Sequence, residues 1–183
     1  MVMENRTVLT FNLVEHPDTR VQRVGFDLTD PYVEHCWGPV LGPTSTLLLR
    51  RMPLLWAERE PATITHGELA KTLGLGSNGG ENSKLMRSID RLVQFRLTTW
   101  AVPGRSLDVR HQAPGLSPGQ VERLPEWTKR LHERLLDERV NGLLERDENA
   151  AKVATITARL DRLQRPRAVE TMTPATPARA TGR

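Results

Sequence analysis

The stretch from Thr63 to Arg110 constrains the fold of this 183-residue chain more than any other part of it. It reads T-I-T-H-G-E-L-A-K-T-L-G-L-G, then a Gly/Asn loop, then N-S-K-L-M-R-S-I-D-R-L-V-Q-F-R-L. Thr65 is followed three residues later by Glu68. That capping box starts a helix at His66, because each side chain satisfies a backbone N–H left open at a helix start. Leu69 and Leu73 take the inward face, and Gly74 stands where a left-handed residue closes the helix. Asn82 or Ser83 can cap a second helix, whose Leu85, Ile89, Leu92 and Val93 recur at helical spacing. Lys84, Arg87, Ser88 and Arg91 then share the outward face. Two short β-prone runs, Leu97–Val102 and Leu107–His111, flank Pro103-Gly104-Arg105, which is a hairpin signal. Trp100 is read as a core residue beneath that hairpin.

The E-L-A-x-x-L-G segment, with Ala70 and Gly74 four residues apart, resembles the first helix and turn of bacterial helix-turn-helix proteins. With the hairpin that follows, the stretch is similar to winged members of that group. The resemblance implies that the second helix lies in the major groove of double-stranded DNA. There Arg reads guanine and Asn reads adenine, so Asn82, Ser83, Lys84, Arg87, Ser88 and Arg91 become DNA-binding candidates. Arg105 at the hairpin tip and Arg110 on the return strand would add phosphate or minor-groove contacts. The L-G-S-N-G-G-E-N loop is longer than the turn of that family, and it suits contact with a protein partner as well.

The remainder of the chain is organised around this stretch. Leu9, Phe11 and Leu13, and then Val24, Phe26 and Leu28, alternate with polar residues, which predicts an N-terminal β-hairpin over 7–28. Asp30-Pro31 opens a short helix. Thr44 or Ser45 caps the next one, which buries Leu47, Leu48, Leu49, Met52, Leu55 and Trp56 and is kinked or divided by Pro53. Gly115 to Pro118 reads as a linker. Beyond it the sequence is charged and helical, with a stripe of Leu124, Trp127, Leu131, Leu135, Val140 and Leu144. Val153, Ile156, Leu160 and Leu163 follow at a/d spacing, and Asp147–Asn149 leaves open whether one helix or two cover the segment. This C-terminal segment either packs back on the domain, burying Trp127, or forms a homodimer seam, or docks another protein. The expected fold class is α+β, mainly α. Its parts are an N-terminal strand pair and short helix (1–43), a winged helix-turn-helix domain (44–114), a C-terminal helical segment (115–165) and a disordered Thr/Pro/Ala/Arg tail (166–183).

Composition narrows the function classes. The net charge of +4 favours a polyanionic partner. The single cysteine, Cys36, allows no intrachain disulfide. No apolar run approaches the roughly 20 residues of a membrane span, and the N-terminus lacks a signal-peptide pattern, so a cytoplasmic protein is expected. His16, His35, His66, His111 and His132 do not form a metal-ligand pattern with Cys36. No phosphate-cradling loop or nucleophile–base pair is visible, so neither a cofactor nor an enzymatic activity is expected. The leading expectation is a sequence-specific DNA-binding transcriptional regulator. The alternatives are a winged protein-interaction module, binding a polymerase, replication or host/phage factor, and a plasmid or phage replication initiator.

Overall fold

The computed structural model describes residues 7–76 and 83–164, with the backbone alone for 161–164. The fold is α+β and mainly helical. Asn82, the Gly/Asn loop and the 166–183 tail lie outside the described residues.

Two compact units are present, Met1–Leu143 and Leu144–Arg183. The first unit is built on a four-stranded sheet. Strand β1 (Val8–Val14) runs antiparallel to β3 (Ala62–Thr65), aligning Phe11 with Ala62, and parallel to β5 (Ser106–Arg110), aligning Asn12 with Asp108. Strand β4 (Thr98–Val102) pairs antiparallel with β5, so the order is β3-β1-β5-β4. Leu9 and Phe11 of β1 are buried together with Leu107 and Val109 of β5. On the other face Asn12 donates to Ser106 Oγ (3.1 Å) and Asp108 Oδ1 (2.8 Å). A one-residue slip would reverse both faces, so the alternation fixes the register.

The predicted N-terminal hairpin does not form. Asp18 accepts a hydrogen bond from the Arg20 amide and caps helix α1 (Thr19–Val24). A good N-cap outweighs the short alternation that follows it. Both edges of β1 are already occupied, so Phe26–Asp27 (β2) pairs instead with Gln112–Ala113 (β6) in a separate two-stranded sheet. The N-terminal segment is therefore part of the central sheet and not a separate unit.

Asp30 Oδ1 accepts from the Tyr32 amide, and a helix follows as expected. It continues through a π-helical turn (Val33–Trp37) into α2 (Gly38–Leu41). Helix α3 (Pro43–Glu58) starts at once, with Gly42 at the N-cap in place of Thr44 or Ser45. Pro53 does not divide it. Leu48, Leu49 and Met52 are buried, whereas Leu47 is 40% exposed. Trp56 Nε1 donates to the Phe11 carbonyl (3.0 Å), which ties α3 to β1.

Helix α4 (His66–Thr72) and helix α5 (Lys84–Gln94) both end in Schellman geometry. In α4 the Leu75 amide bonds the Ala70 carbonyl and the Gly74 amide bonds that of Lys71, with Gly74 at φ +71°. In α5 the matching left-handed position is Arg96, at φ +59°. After α6 (Pro118–Val121), α7 (Glu126–Gln164) runs through Asp147–Asn149 as one helix. In the first unit it buries Thr128, Leu131 and His132, but Trp127 is 62% exposed and not buried as the packed-back alternative required. In the second unit Val153, Ile156 and Leu160 are exposed.

Candidate nucleic-acid interface

Helix α5 has the local chemistry to present a cationic face. Ser83 caps it by accepting from the Met86 amide (3.2 Å), and Ser83 Oγ lies 3.3 Å from His66 Nε2 at the start of α4. Thr65 Oγ1 accepts from the Glu68 amide (3.2 Å), the Thr65 half of the expected capping box, so each helix start has a side-chain cap. Leu85, Ile89 and Leu92 are buried, and Val93 is half-buried against the core. Lys84, Arg87 and Arg91 are exposed.

The outward-facing candidates divide into free and engaged side chains. Among the described residues Lys84 and Arg87 make no side-chain hydrogen bond or ion pair. Ser88 is not on the outward face as expected. It lies on the flank of α5 turned to α3, where it is buried, its hydroxyl donates to the Lys84 carbonyl (2.8 Å), and its own carbonyl accepts from Ser45 Oγ (3.2 Å). Arg91 is exposed but tied: its Nε (3.2 Å) and Nη2 (2.7 Å) both donate to the Val40 carbonyl, and its guanidinium lies 5.9 Å from the Phe95 ring centre. Lys84, Arg87 and Arg91 border a shallow groove of about 390 Å³, whose opposite wall is Leu41–Ser45 at the α2–α3 corner.

The hairpin forms where expected. Gly104 at φ +70° makes the turn, and Arg105 is exposed at the tip. The Arg105 carbonyl accepts from the Thr10 amide (2.8 Å), which ties the tip to β1. Trp100 is half-buried against the core. Arg110 does not accompany Arg105. It lies five residues along β5, about 17 Å away at strand rise, and its Nη1 donates to the Glu15 carbonyl (3.3 Å). A central strand flanked by β1 and β4 leaves that guanidinium against the sheet and not on the hairpin rim.

Two features escaped the sequence reading. The first is the α2–α3 corner facing α5, which Gly42-Pro43 marks as a turn without indicating its neighbour. The second is a buried polar chain between Tyr32 and α7. Tyr32 Oη accepts from the Leu116 amide (2.9 Å) and shares a hydrogen bond with His132 Nδ1 (2.8 Å). Burial pushes the Tyr32 hydroxyl well above its ordinary range and lowers the His132 pKa. Stacking of Phe26 on Tyr32 (3.8 Å) and a hydrogen bond from Arg139 to the Gly25 carbonyl complete the docking of α7. Among the described residues no group of three His, Cys, Asp or Glu is placed to hold a metal, and no helix is long and apolar enough to cross a membrane.

No protein-family model matches the chain, and no curated protein matches it. A solved structure, primosome protein DnaB (residues 1–300) from Geobacillus stearothermophilus, is similar at 16% identity with a TM-score of 0.41. The match covers 73% of this chain and 50% of that one, so this chain spans about half the length of the structure it resembles.

Proposed function

We propose that this chain is a sequence-specific double-stranded DNA-binding protein of the winged helix-turn-helix type, acting in transcriptional regulation. The observation that carries the reading is α5: a capped amphipathic helix with Lys84 and Arg87 exposed and open, followed directly by a hairpin with Arg105 at its tip. The order α3-β3-α4-α5-β4-β5 over residues 43–110 supports it. An α-helix about 10–12 Å across fits a major groove about 12 Å wide. In this reading α5 enters the groove and Arg105 meets the flanking backbone. Pairing of two copies belongs to the same reading. Val153, Ile156 and Leu160 are exposed at a/d spacing, and a dimer would address two half-sites.

The test is retention of sheared genomic DNA by the purified protein, followed by titration of a selected site at several salt concentrations. Affinity should fall with salt as phosphate-bound counterions are released, and Lys84→Ala and Arg87→Ala should weaken binding without unfolding the protein. Retention of random fragments only, or variants that bind like the wild type, would refute specific reading by α5.

A second reading, a protein-interaction module, is favoured by one observation. Trp127 and Leu47 are exposed together along a groove of about 510 Å³ between α3 and α7. Absence of any DNA shift at low salt, with a protein partner lost on Trp127→Ala, would select it.

A further inference from the structure

The two arginines of α5 were equivalent candidates in the sequence, and the structure separates them. Arg87 presents all its donors, with no partner among the described residues. Arg91 spends the side edge of its guanidinium, Nε and Nη2, on one backbone carbonyl, that of Val40, and covers the Phe95 ring. Val40 lies three residues before α3, whose Ser45 in turn donates to the Ser88 carbonyl in the middle of α5. Arg91 and Ser88 thus hold α5 to the α2–α3 corner at two points one turn apart. Arg87 and Arg91 are also four residues apart on one helix face, where like charges repel. Anchoring Arg91 to Val40 draws one guanidinium aside and leaves the other to extend into the groove.

We propose that Arg87 is the specificity-determining arginine of α5, reading a guanine edge, and that Arg91 is a positioning residue that holds the helix and clears the space in which Arg87 extends. The proposal rests on the DNA-binding reading above. A guanine edge is the partner that a free Arg fork fits in the major groove. With Ser88 buried and Arg110 bound to Glu15, neither of those two candidates competes for the role.

The two roles make different predictions on a selected site and its single-base variants. Arg87→Ala should abolish discrimination at one G·C pair, a loss of roughly 5- to 150-fold. Arg91→Met keeps the stem over Phe95 and removes the donors. It should weaken discrimination at that same pair and add little when combined with Arg87→Ala, because both act through one contact. Arg91→Lys, which keeps the charge but not the two-donor grip, should resemble Arg91→Met and not the wild type. A loss of discrimination at a different base pair, a full additive loss in the double variant, or full rescue by Lys would overturn the positioning role. A salt-dependence slope lowered by about 0.9 in Arg91→Met would also overturn it, since that marks a lost phosphate contact.

The positioning role can be read without DNA. In the free protein, Arg91→Met should speed amide exchange at Gly42 and Thr46, which bond Gly38 and Gly42 at the corner, and leave β1 and β5 unchanged. Unchanged exchange at the corner would refute the grip on Val40. If the wild-type protein binds no duplex at any salt concentration, the DNA reading and the role given to Arg87 fail together. The exchange result then still decides whether Arg91 holds the corner.

Discussion

Replacing Tyr32 by Phe should reveal how much of the first unit depends on the docking of α7. The substitution removes one oxygen and leaves the ring, so the stack on Phe26 survives. Two buried groups then lose their partners: the Leu116 amide, on a residue 8% exposed, and Nδ1 of His132, which is 7% exposed. An unsatisfied buried polar group costs about 1–3 kcal/mol, so the variant should lose about 3 kcal/mol. That is a large part of the roughly 5–15 kcal/mol that holds a domain together. Urea unfolding at pH 8 measures it as a lower midpoint at unchanged slope.

The pH profile checks the same contact from the histidine side. Burial depresses the His132 pKa in the folded state, partly opposed by Glu133. Just below the ordinary value of about 6.5, the unfolded chain therefore binds a proton that the folded chain refuses. Stability is complete above that value and falls as the pH drops through it toward the folded pKa, by about 1.4 kcal/mol for each unit of depression. His132→Gln should flatten this acid limb, and Tyr32→Phe should keep it, because burial and not the tyrosine causes the shift. A Tyr32→Phe variant within about 0.5 kcal/mol of the wild type, a normal value for a surface change, would refute the bonded chain from Leu116 through Tyr32 to His132.

Other outcomes follow from single sites. Arg96→Gly should stabilise the protein by about 1 kcal/mol in thermal or urea unfolding, because the left-handed conformation that closes α5 disfavours a Cβ. Thr65→Ala should cost about 1 kcal/mol through loss of the α4 cap, measured in the same way. Cys36 is buried, and desolvation, followed by the Asp30 charge, raises its pKa to about 11. Native protein at pH 8 should therefore react with a thiol reagent far more slowly than urea-unfolded protein. Arg110→Met should leave the salt dependence of DNA binding unchanged, whereas Arg105→Ala should reduce its slope by about 0.9 if Arg105 meets a phosphate.

Local signals carried the central stretch. The Thr65 and Ser83 caps, the Gly74 stop, the apolar spacing of α5 and the Pro-Gly turn of the hairpin depend on contacts within a few residues. Each is therefore legible in order along the chain. The same locality explains the errors. Alternation at 24–28 promised a hairpin, but strand partners are chosen across the whole fold. The partners of β1 come from residues 62–65 and 106–110, far along the chain. Periodicity on α5 assigned one outward face to Lys84, Arg87, Ser88 and Arg91. It held no information that α3 would press on the Ser88 flank, or that the Val40 carbonyl would take Arg91.

Trp127 shows the limit from the other side. A large apolar residue on a helical stripe left packing, dimer seam and docking open, and α7 docks through Leu131, His132 and Arg139 and leaves Trp127 exposed. Between Thr63 and Arg110 the sequence by itself determined which segments are helices and hairpin, because caps, turns and periodicity act through neighbours in the chain. Only the tertiary structure decided which arginine has no partner among the described residues, which is held and which strands lie at the centre of the sheet. Those outcomes depend on backbone carbonyls and sheet edges brought together from distant parts of the chain.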